Sequence, residues 1–333
     1  MLKPLFLRLH RWVALAFALP LLVVIGTGLI LAVEPALKAR TPDGTVTLER
    51  LEAVIAAAGP AARNGALAIQ GYAGTASIGA RGAATTYDLA TAIAVEPSAL
   101  PGFFRTMRVM HETLLLDLGW LVTASTIALV ALAPLGLLLG WPKLRNTIGG
   151  WHRLAGWGLL PLLVGSPLTG LALVYGITFA TPVPAPAGPV PALVEVVRAV
   201  AARHDLDGLD MIRSMRGGVL VRVLDDSGTA AAYRVAPDGS LIAQPSNWPR
   251  LLHEGNWGGL AGSVANLIAA IALMGLLVTG MILWVRRTLY RRRAEAQRAA
   301  MIAAGGTDRR ARRAGAMTPA TAQATAGASP PAG

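Results

Sequence analysis

Four long apolar segments constrain what this chain can fold into. They lie at about Trp12–Val33, Gly119–Trp141, Trp157–Thr178 and Leu260–Val285. Each segment is long enough to cross a bilayer as a helix, which takes about 20 apolar residues. The composition agrees, because 54% of the residues are apolar and only 14% are charged. The sequence therefore predicts an α-helical membrane protein built on a bundle of four transmembrane helices.

The four segments form two copies of one pattern. In the first and third segments a His-Arg pair is followed 17 residues later by a Thr-Gly pair: His10-Arg11 with Thr27-Gly28, and His152-Arg153 with Thr169-Gly170. An Arg-x-x-His-Glu motif precedes the second and fourth segments: Arg108 with His111-Glu112, and Arg250 with His253-Glu254. This repetition predicts a pseudo-two-fold arrangement of the four helices about an axis along the membrane normal.

The basic residues of the short connections predict the orientation of the chain. They cluster before the first segment, between the second and third, and after the fourth: Lys3, Arg8, Arg11, Lys143, Arg145, Arg153, Arg286, Arg287 and Arg291–Arg293. Because short cytoplasmic loops are enriched in lysine and arginine, both termini are expected in the cytoplasm. The two long connections are then extracytoplasmic.

Each long connection reads as one helix followed by short alternating runs and turns, which indicates a small α+β module. The expected organisation is therefore a first transmembrane helix (1–33), a first module (34–110), a second helix (111–141), a cytoplasmic turn (142–156), a third helix (157–179), a second module (180–252), a fourth helix (253–290) and a basic, disordered cytoplasmic tail (291–333). The spans carry no central charge and no evident break.

Two features of the composition limit the cofactors and partners that are expected for this protein. The chain has no cysteine, which excludes covalent c-type haem attachment, cysteine-ligated iron–sulfur clusters and thiol redox chemistry. Histidine-ligated cofactors then remain the main option for electron transfer. The net charge of +12 comes mostly from the basic residues after the fourth segment. That charge adjoins the membrane and has no interleaved aromatic residues, so nucleic acid is not an expected partner.

The order helix, module, helix in two copies, together with the His-Arg and Arg-x-x-His-Glu motifs, resembles the PepSY-associated transmembrane family over about residues 1–290. That family comprises iron-regulated proteins of the bacterial inner membrane and includes ferric-siderophore reductases. The resemblance implies PepSY-like modules and b-type haem held between helices by paired histidines. It also implies reduction of an iron-bearing substrate on the outer side. Some relatives carry a reductase domain after the last helix; this chain has none there, so a separate electron donor is expected.

The four repeated histidines are the candidate haem ligands. On the expected topology His10 and His152 lie at the cytoplasmic ends of their helices, and His111 and His253 lie at the outer ends. The repeat relates the two members of each pair, and imidazole is a common haem-iron ligand. Together with the resemblance, this pairing predicts two haem b groups, one for each pair. The alternative is that these histidines are interfacial anchors. His204 stands outside the pattern and is assigned to the end of a module helix.

Further residues are candidates for binding the cofactor or the substrate. Arg108 and Arg250 lie three residues before their histidines, where they pair with haem propionates or hold an anionic substrate. The alternative is that they snorkel to the interface. Arg11 and Arg153 are given the same cofactor-binding role on the inner side. Trp248 and Trp257 flank His253 and are weak candidates for a substrate platform, with a membrane-interface belt as the alternative.

The expected function is transfer of electrons across the inner membrane to an extracytoplasmic acceptor, with a ferric siderophore as the acceptor and iron acquisition as the role. The donor is a cytoplasmic reductase or a quinol, and the enzyme class is a haem-dependent ferric reductase. Two alternatives remain open: a non-catalytic membrane-anchored binding or inhibitory protein, and a component of siderophore or metal transport.

Overall fold

The computed structural model describes residues 2–80, 83–142, 145–181, 183, 188–215, 218–225 and 227–315. Lys143, which the orientation argument uses, lies outside these ranges. The α-helices are α1 (Lys3–Ala16), α2 (Ala18–Leu31), α3 (Glu34–Lys38), α4 (Leu48–Ala58), α5 (Ala61–Asn64), α6 (Ala99–Thr113), α7 (Gly119–Leu138), α8 (Ile148–Gly158), α9 (Leu160–Val174), α10 (Leu193–Ala201), α11 (Trp248–Glu254) and α12 (Leu260–Gly315). The strands are β1 (Ala66–Gln70), β2 (Thr75–Gly79), β3 (Thr85–Asp88), β4 (Ala94–Val95), β5 (Leu209–Met215), β6 (Gly218–Leu224), β7 (Ala230–Val235) and β8 (Leu241–Ala243).

Several of these helices are long and apolar enough to cross a membrane. Within the described residues, three qualify by length and hydropathy: Ala18–Lys38, Gly119–Leu138 and Leu260–Ile302. Helices α8 and α9 together qualify as a fourth span, although they bend by 65° at the break between them. The chain is therefore a multi-pass membrane protein with three or four spans.

Helix breaks at Phe17 and Leu159 correct the expectation of unbroken first and third spans. The φ angles there are −105° and −107°, and a new helix begins at the next residue in each case. Pro20 and Pro161, in the first turns of the new helices, lack the N–H that would continue the preceding helix. Phe17 and Leu159 both pack against the apolar cluster formed by Leu21, Ile25, Leu163 and Leu273. Apolar side chains thus fill both breaks.

His111 lies on α6 and His253 lies on α11, and both helices end before the transmembrane helices α7 and α12 begin. The expected single helices 111–141 and 253–290 were therefore wrong. Helix α6 ends at Thr113, and φ is positive at Leu114, Leu115 and Asp117 before α7 begins. Helix α11 ends in the same way at Gly255, which has a left-handed conformation. The chain therefore turns after each Arg-x-x-His-Glu motif. Helix α6 packs on α2, and α11 packs on α9.

The strands of the two long connections form one antiparallel sheet of eight strands, in the order β4-β3-β2-β1-β5-β6-β7-β8. The two connections were expected to form separate modules, but the structure joins them through β1 and β5. There Leu67 pairs with Ile212 and Ala68 pairs with Met211. Sequence periodicity identifies strands but not their partners. Pairing removes the exposed edge that each four-stranded half would present at β1 or β5.

One apolar core lies between this sheet and the helices α4 and α10. Burial alternates along β1 and β6, where every second residue is buried. The helices contribute their apolar faces, with Leu51, Val54 and Ala58 from α4 and Leu193, Val196, Val197 and Val200 from α10. Both halves of the sheet therefore depend on the same core.

The end of the chain also departs from the expectation. Residues 291–315 were assigned to a disordered tail, but α12 continues through them to Gly315. Arginine, alanine, glutamate and glutamine dominate residues 291–302, and all are good helix formers. The rest of the expected tail, 316–333, lies outside the described residues.

The shared core predicts a large effect for a substitution at the β1–β5 junction. Ile212 is 1% exposed and belongs to the core of the sheet. Ile212→Ala should lower the free energy of unfolding by about 2–5 kcal/mol, because it removes buried methyl groups and leaves a cavity. Thermal unfolding of the detergent-solubilised protein measures this. Ile93→Ala is the control: Ile93 is 63% exposed, so the change should stay within about 0.5 kcal/mol. Equal effects of the two substitutions would contradict a shared core.

Candidate functional site

A cavity of about 540 Å³ opens between α2, α7, α9 and α12, at the end of these helices that adjoins the sheet. This volume lies within the range of small-molecule and cofactor sites. Apolar residues of the four helices form much of its wall, and charged residues of α3, α6, α11 and β6 lie at the sheet end. Of the predicted site residues, His111, His253, Arg108 and Arg250 all line it.

His111 and His253 lie close together in this cavity. Their ring centroids are 6.0 Å apart and the ring planes are inclined by 46°. A metal–imidazole bond is about 2 Å long, so two imidazoles that hold one metal ion from opposite sides have centroids roughly 6 Å apart. The observed separation matches that arrangement. The expectation that these two histidines form a pair agrees with the structure.

Hydrogen bonds fix which ring nitrogen of each histidine is free. Nδ1 of His111 lies 2.9 Å from the carbonyl oxygen of Val24, and Nδ1 of His253 lies 3.1 Å from that of Ser166. A carbonyl only accepts, so Nδ1 must carry the proton and donate it. Nε2 of a neutral ring then keeps its lone pair. Both imidazoles are thus in the tautomer that binds a metal through Nε2.

The Thr-Gly pairs of the spans hold these rings in place. Thr27 Oγ1 lies 3.1 Å from His111 Nδ1, and Thr169 Oγ1 lies 3.3 Å from His253 Nδ1. Each hydroxyl donates to carbonyls of its own helix and is therefore an acceptor for the histidine. A Cβ atom at Gly28 would lie 3.2 Å from His111 Cε1, and one at Gly170 would lie 3.0 Å from His253 Cε1. Glycine therefore makes room for each imidazole.

His10 and His152 lie against the other two spans. A Cβ atom at Gly136 of α7 would lie 3.6 Å from His10 Cε1, and one at Gly280 of α12 would lie 3.5 Å from His152 Cε1. In the part of the chain that the structure describes, no ring contact joins His10 and His152, unlike His111 and His253.

A third Thr-Gly pair, Thr279-Gly280, was missed in the sequence. Thr279 Oγ1 lies 2.8 Å from His152 Nδ1 and donates to the carbonyl of Gly275. The sequence repeat could have revealed this pair, because Thr-Gly also occurs in the first and third spans. It was overlooked because Thr279 lies in the fourth span, far in sequence from any histidine.

The donor set limits the kind of metal centre that these residues could form. Among the described residues, no group of three or more histidine, cysteine, aspartate or glutamate side chains is arranged to hold a metal ion. A structural or catalytic metal bound by protein alone takes three or four such ligands. A pair of imidazoles facing each other instead suits a metal whose remaining ligands come from a cofactor, as in haem proteins.

A chain of alternating charges covers the sheet end of the cavity. It runs from Arg108 to Glu34 (2.5 Å), Glu34 to Lys38 (3.7 Å), Lys38 to Asp210 (2.7 Å), Asp210 to Arg222, Arg222 to Glu254 (3.3 Å) and Glu254 to Arg250 (2.8 Å). Asp210 and Arg222 belong to the sheet, and the others belong to α3, α6 and α11. This charge network ties the sheet to the helices that carry the histidines. The sequence did not predict it, because its members are distant in the chain.

The two arginines of the Arg-x-x-His-Glu motifs lie at the ends of this network and are about half exposed. Their glutamates differ. Glu254 bonds Arg250, Arg222 and Asn256, whereas Glu112 lines the cavity and makes no hydrogen bond to His111 in the described residues. The expected pairing of Arg108 and Arg250 with an anionic ligand is compatible with this position, since each guanidinium keeps donors unused by its carboxylate partner.

The other predicted residues lie elsewhere. Arg11 lies 5.6 Å from the ring of its neighbour Trp12, and Arg153 donates to the carbonyl of Gly149. Trp248 and Trp257 are not among the described residues that line the cavity. His204 packs against Tyr233 of β7 in the sheet, away from the paired histidines.

Asp210 is the centre of the charge network. Burial alone would raise the pKa of its carboxyl group, but Lys38 and Arg222 outweigh burial and hold that pKa well below its ordinary value. Asp210→Asn removes the carboxylate that Lys38 and Arg222 share and leaves them only the more distant Glu34 and Glu254. It should lower the free energy of unfolding at pH 7 by about 3–5 kcal/mol. The folded-state pKa is depressed, so the wild type loses this advantage as pH falls below the ordinary value of 3.8.

The measurement is thermal or denaturant unfolding of both proteins between pH 7 and pH 3. Glu52→Gln is the matched control, because Glu52 forms an exposed pair with Arg198 that should contribute about 0–1 kcal/mol. Wild-type stability of Asp210→Asn at pH 7 would show that the network does not hold the sheet to the helices.

Comparison with known families assigns the chain to one of them. Residues 7–287 match the family described as the PepSY-associated TM region, which covers the four apolar segments and the whole sheet. No curated protein matches the chain. The resemblance inferred from the histidine motifs is confirmed, and the chain belongs to the PepSY-associated TM family.

Proposed function

We propose that this protein is a haem-b electron-transfer protein of the bacterial inner membrane that delivers electrons to an extracytoplasmic acceptor. Its best candidate acceptor is a ferric siderophore, and its donor is a cytoplasmic reductase or a quinol. The observation that carries the proposal is the His111–His253 pair, with centroids 6.0 Å apart inside a 540 Å³ cavity. The resulting architecture is a pseudo-two-fold bundle of four spans with the sheet domain outside.

The residues present fit a haem at this site. Both imidazoles offer Nε2, and Gly28 and Gly170 leave room beside them. Apolar side chains of the spans line much of the cavity, and Arg108 and Arg250 also line it, where they could bind carboxylates of a bound group. Bound haem would supply an iron that cycles between ferric and ferrous states and so carries one electron.

The protein's own contribution is positioning and electrostatics. Val24 and Thr27 hold His111, and Ser166 and Thr169 hold His253, so the ligand rings need no reorientation. Apolar residues of the spans surround the rings in the cavity. The charge network places arginine side chains beside the cavity mouth, where an anionic iron chelate would approach.

Haem content tests the proposal. His111→Ala or His253→Ala should remove one of two haem equivalents, and His10→Ala or His152→Ala should remove the other, because each iron loses an axial ligand. The measurement is a dithionite-reduced-minus-oxidised spectrum with haem counted per chain. His204→Ala is the control and should keep both haems. A wild-type protein that takes up no haem would overturn the proposal and favour an anchored binding protein.

Transport is the weaker alternative. Broken spans are typical of transporters, in which the free helix ends line a polar site. Here the breaks at Phe17 and Leu159 are packed with leucine and isoleucine side chains. No substrate-binding role for the breaks follows from that packing.

The proposed orientation has its own test, which the absence of cysteine makes direct. Ser227 lies in the sheet domain and Arg145 lies between α7 and α8, and both are exposed. A membrane-impermeant maleimide should label Ser227→Cys in intact spheroplasts and Arg145→Cys only after permeabilisation, because basic short loops stay in the cytoplasm. The wild-type protein is the unlabelled control. The reverse pattern would invert the topology.

A further inference from the structure

The four repeated histidines are held in the same way, with one exception. His111, His253 and His152 each have Nδ1 next to a threonine hydroxyl, at 3.1, 3.3 and 2.8 Å. The threonine precedes the glycine that contacts the ring in all three cases. His10 contacts Gly136, which is preceded by Leu135.

Leucine at this position leaves His10 without the acceptor that the other three histidines have. Its Nδ1 is buried and makes no hydrogen bond to any described residue. The backbone of Leu132 lies near the His10 ring but does not meet hydrogen-bond geometry at Nδ1. Buried polar groups are nearly always hydrogen-bonded, so this nitrogen is an exception.

We infer that Leu135 is a tuning position that makes His10 the weakest of the four iron ligands. This inference rests on the proposed haem-binding function. A hydrogen bond from Nδ1 fixes the tautomer and raises the basicity of Nε2. Without it, His10 donates less electron density and is less firmly oriented. The haem of His10 and His152 is therefore held less tightly and is easier to reduce than it would be with a threonine at 135.

Two reciprocal substitutions test the inference. Leu135→Thr supplies the missing hydroxyl and should slow transfer of one of the two haems to apomyoglobin about 10-fold. Thr279→Leu removes the hydroxyl beside His152 and should accelerate the same transfer about 10-fold. The midpoint potential of that haem should shift to more negative values in the first variant and to more positive values in the second, because a more basic ligand favours ferric iron.

Matched controls separate this effect from a general change in the spans. Leu138→Thr makes the same exchange at an exposed position of α7. Thr288→Leu makes the reverse exchange in α12 at a threonine whose hydroxyl donates to the carbonyl of Trp284 in the same helix. Both controls should leave haem transfer and midpoint potentials unchanged.

The outcomes distinguish this inference from the proposed function. A wild type without haem refutes the function. A wild type with two haems, in which Leu135→Thr leaves transfer and potential unchanged, refutes only the role of Leu135. Nitrogen NMR of ¹⁵N-histidine-labelled, haem-free protein gives a readout independent of haem: Leu135→Thr should move His10 towards the Nδ1–H tautomer, and an unchanged His10 signal would also overturn the inference.

Discussion

The candidate site depends on one interaction that is made several times: a histidine on one helix donates its Nδ1 proton to the backbone or a threonine of a neighbouring span. The bonds at Val24 and Ser166 fix both the position and the tautomer of His111 and His253. Because the donors sit on α6 and α11 and the acceptors on α2 and α9, the same bonds also hold the helices together. The same hydrogen bonds therefore determine the orientation of the imidazoles and the packing of the helices that carry them.

Much of this arrangement was predictable from the sequence. Apolar length located the spans to within a few residues, as for Gly119–Leu138, and the repeat paired His111 with His253. The Thr-Gly pairs were visible as part of the repeat, and the structure shows their use: threonine accepts from the imidazole and glycine leaves space for it. These features are visible in the sequence because each motif is only a few residues long and contacts a single side chain.

Other features were not predictable, because they depend on partners far away in the chain. Period-two patterns identified the strands, but only tertiary structure shows that β1 joins β5. Glu34, Lys38, Asp210 and Arg222 are unremarkable one by one, and their network exists only after the sheet is placed over the helices. The turn after His111 was also missed, since Leu114–Leu118 continue an apolar pattern that suits a helix.

The shared sheet has a consequence for the integrity of the chain. A fragment that stopped after α9 would lack β5, so β1 would keep β2 on one side and have an exposed edge on the other. It would also lack α11 and α12, which complete the cavity wall. An unprotected strand edge promotes association with other chains. Neither half can therefore serve as a smaller version of the whole, because each supplies the strand that covers the other's edge at the β1–β5 pairing.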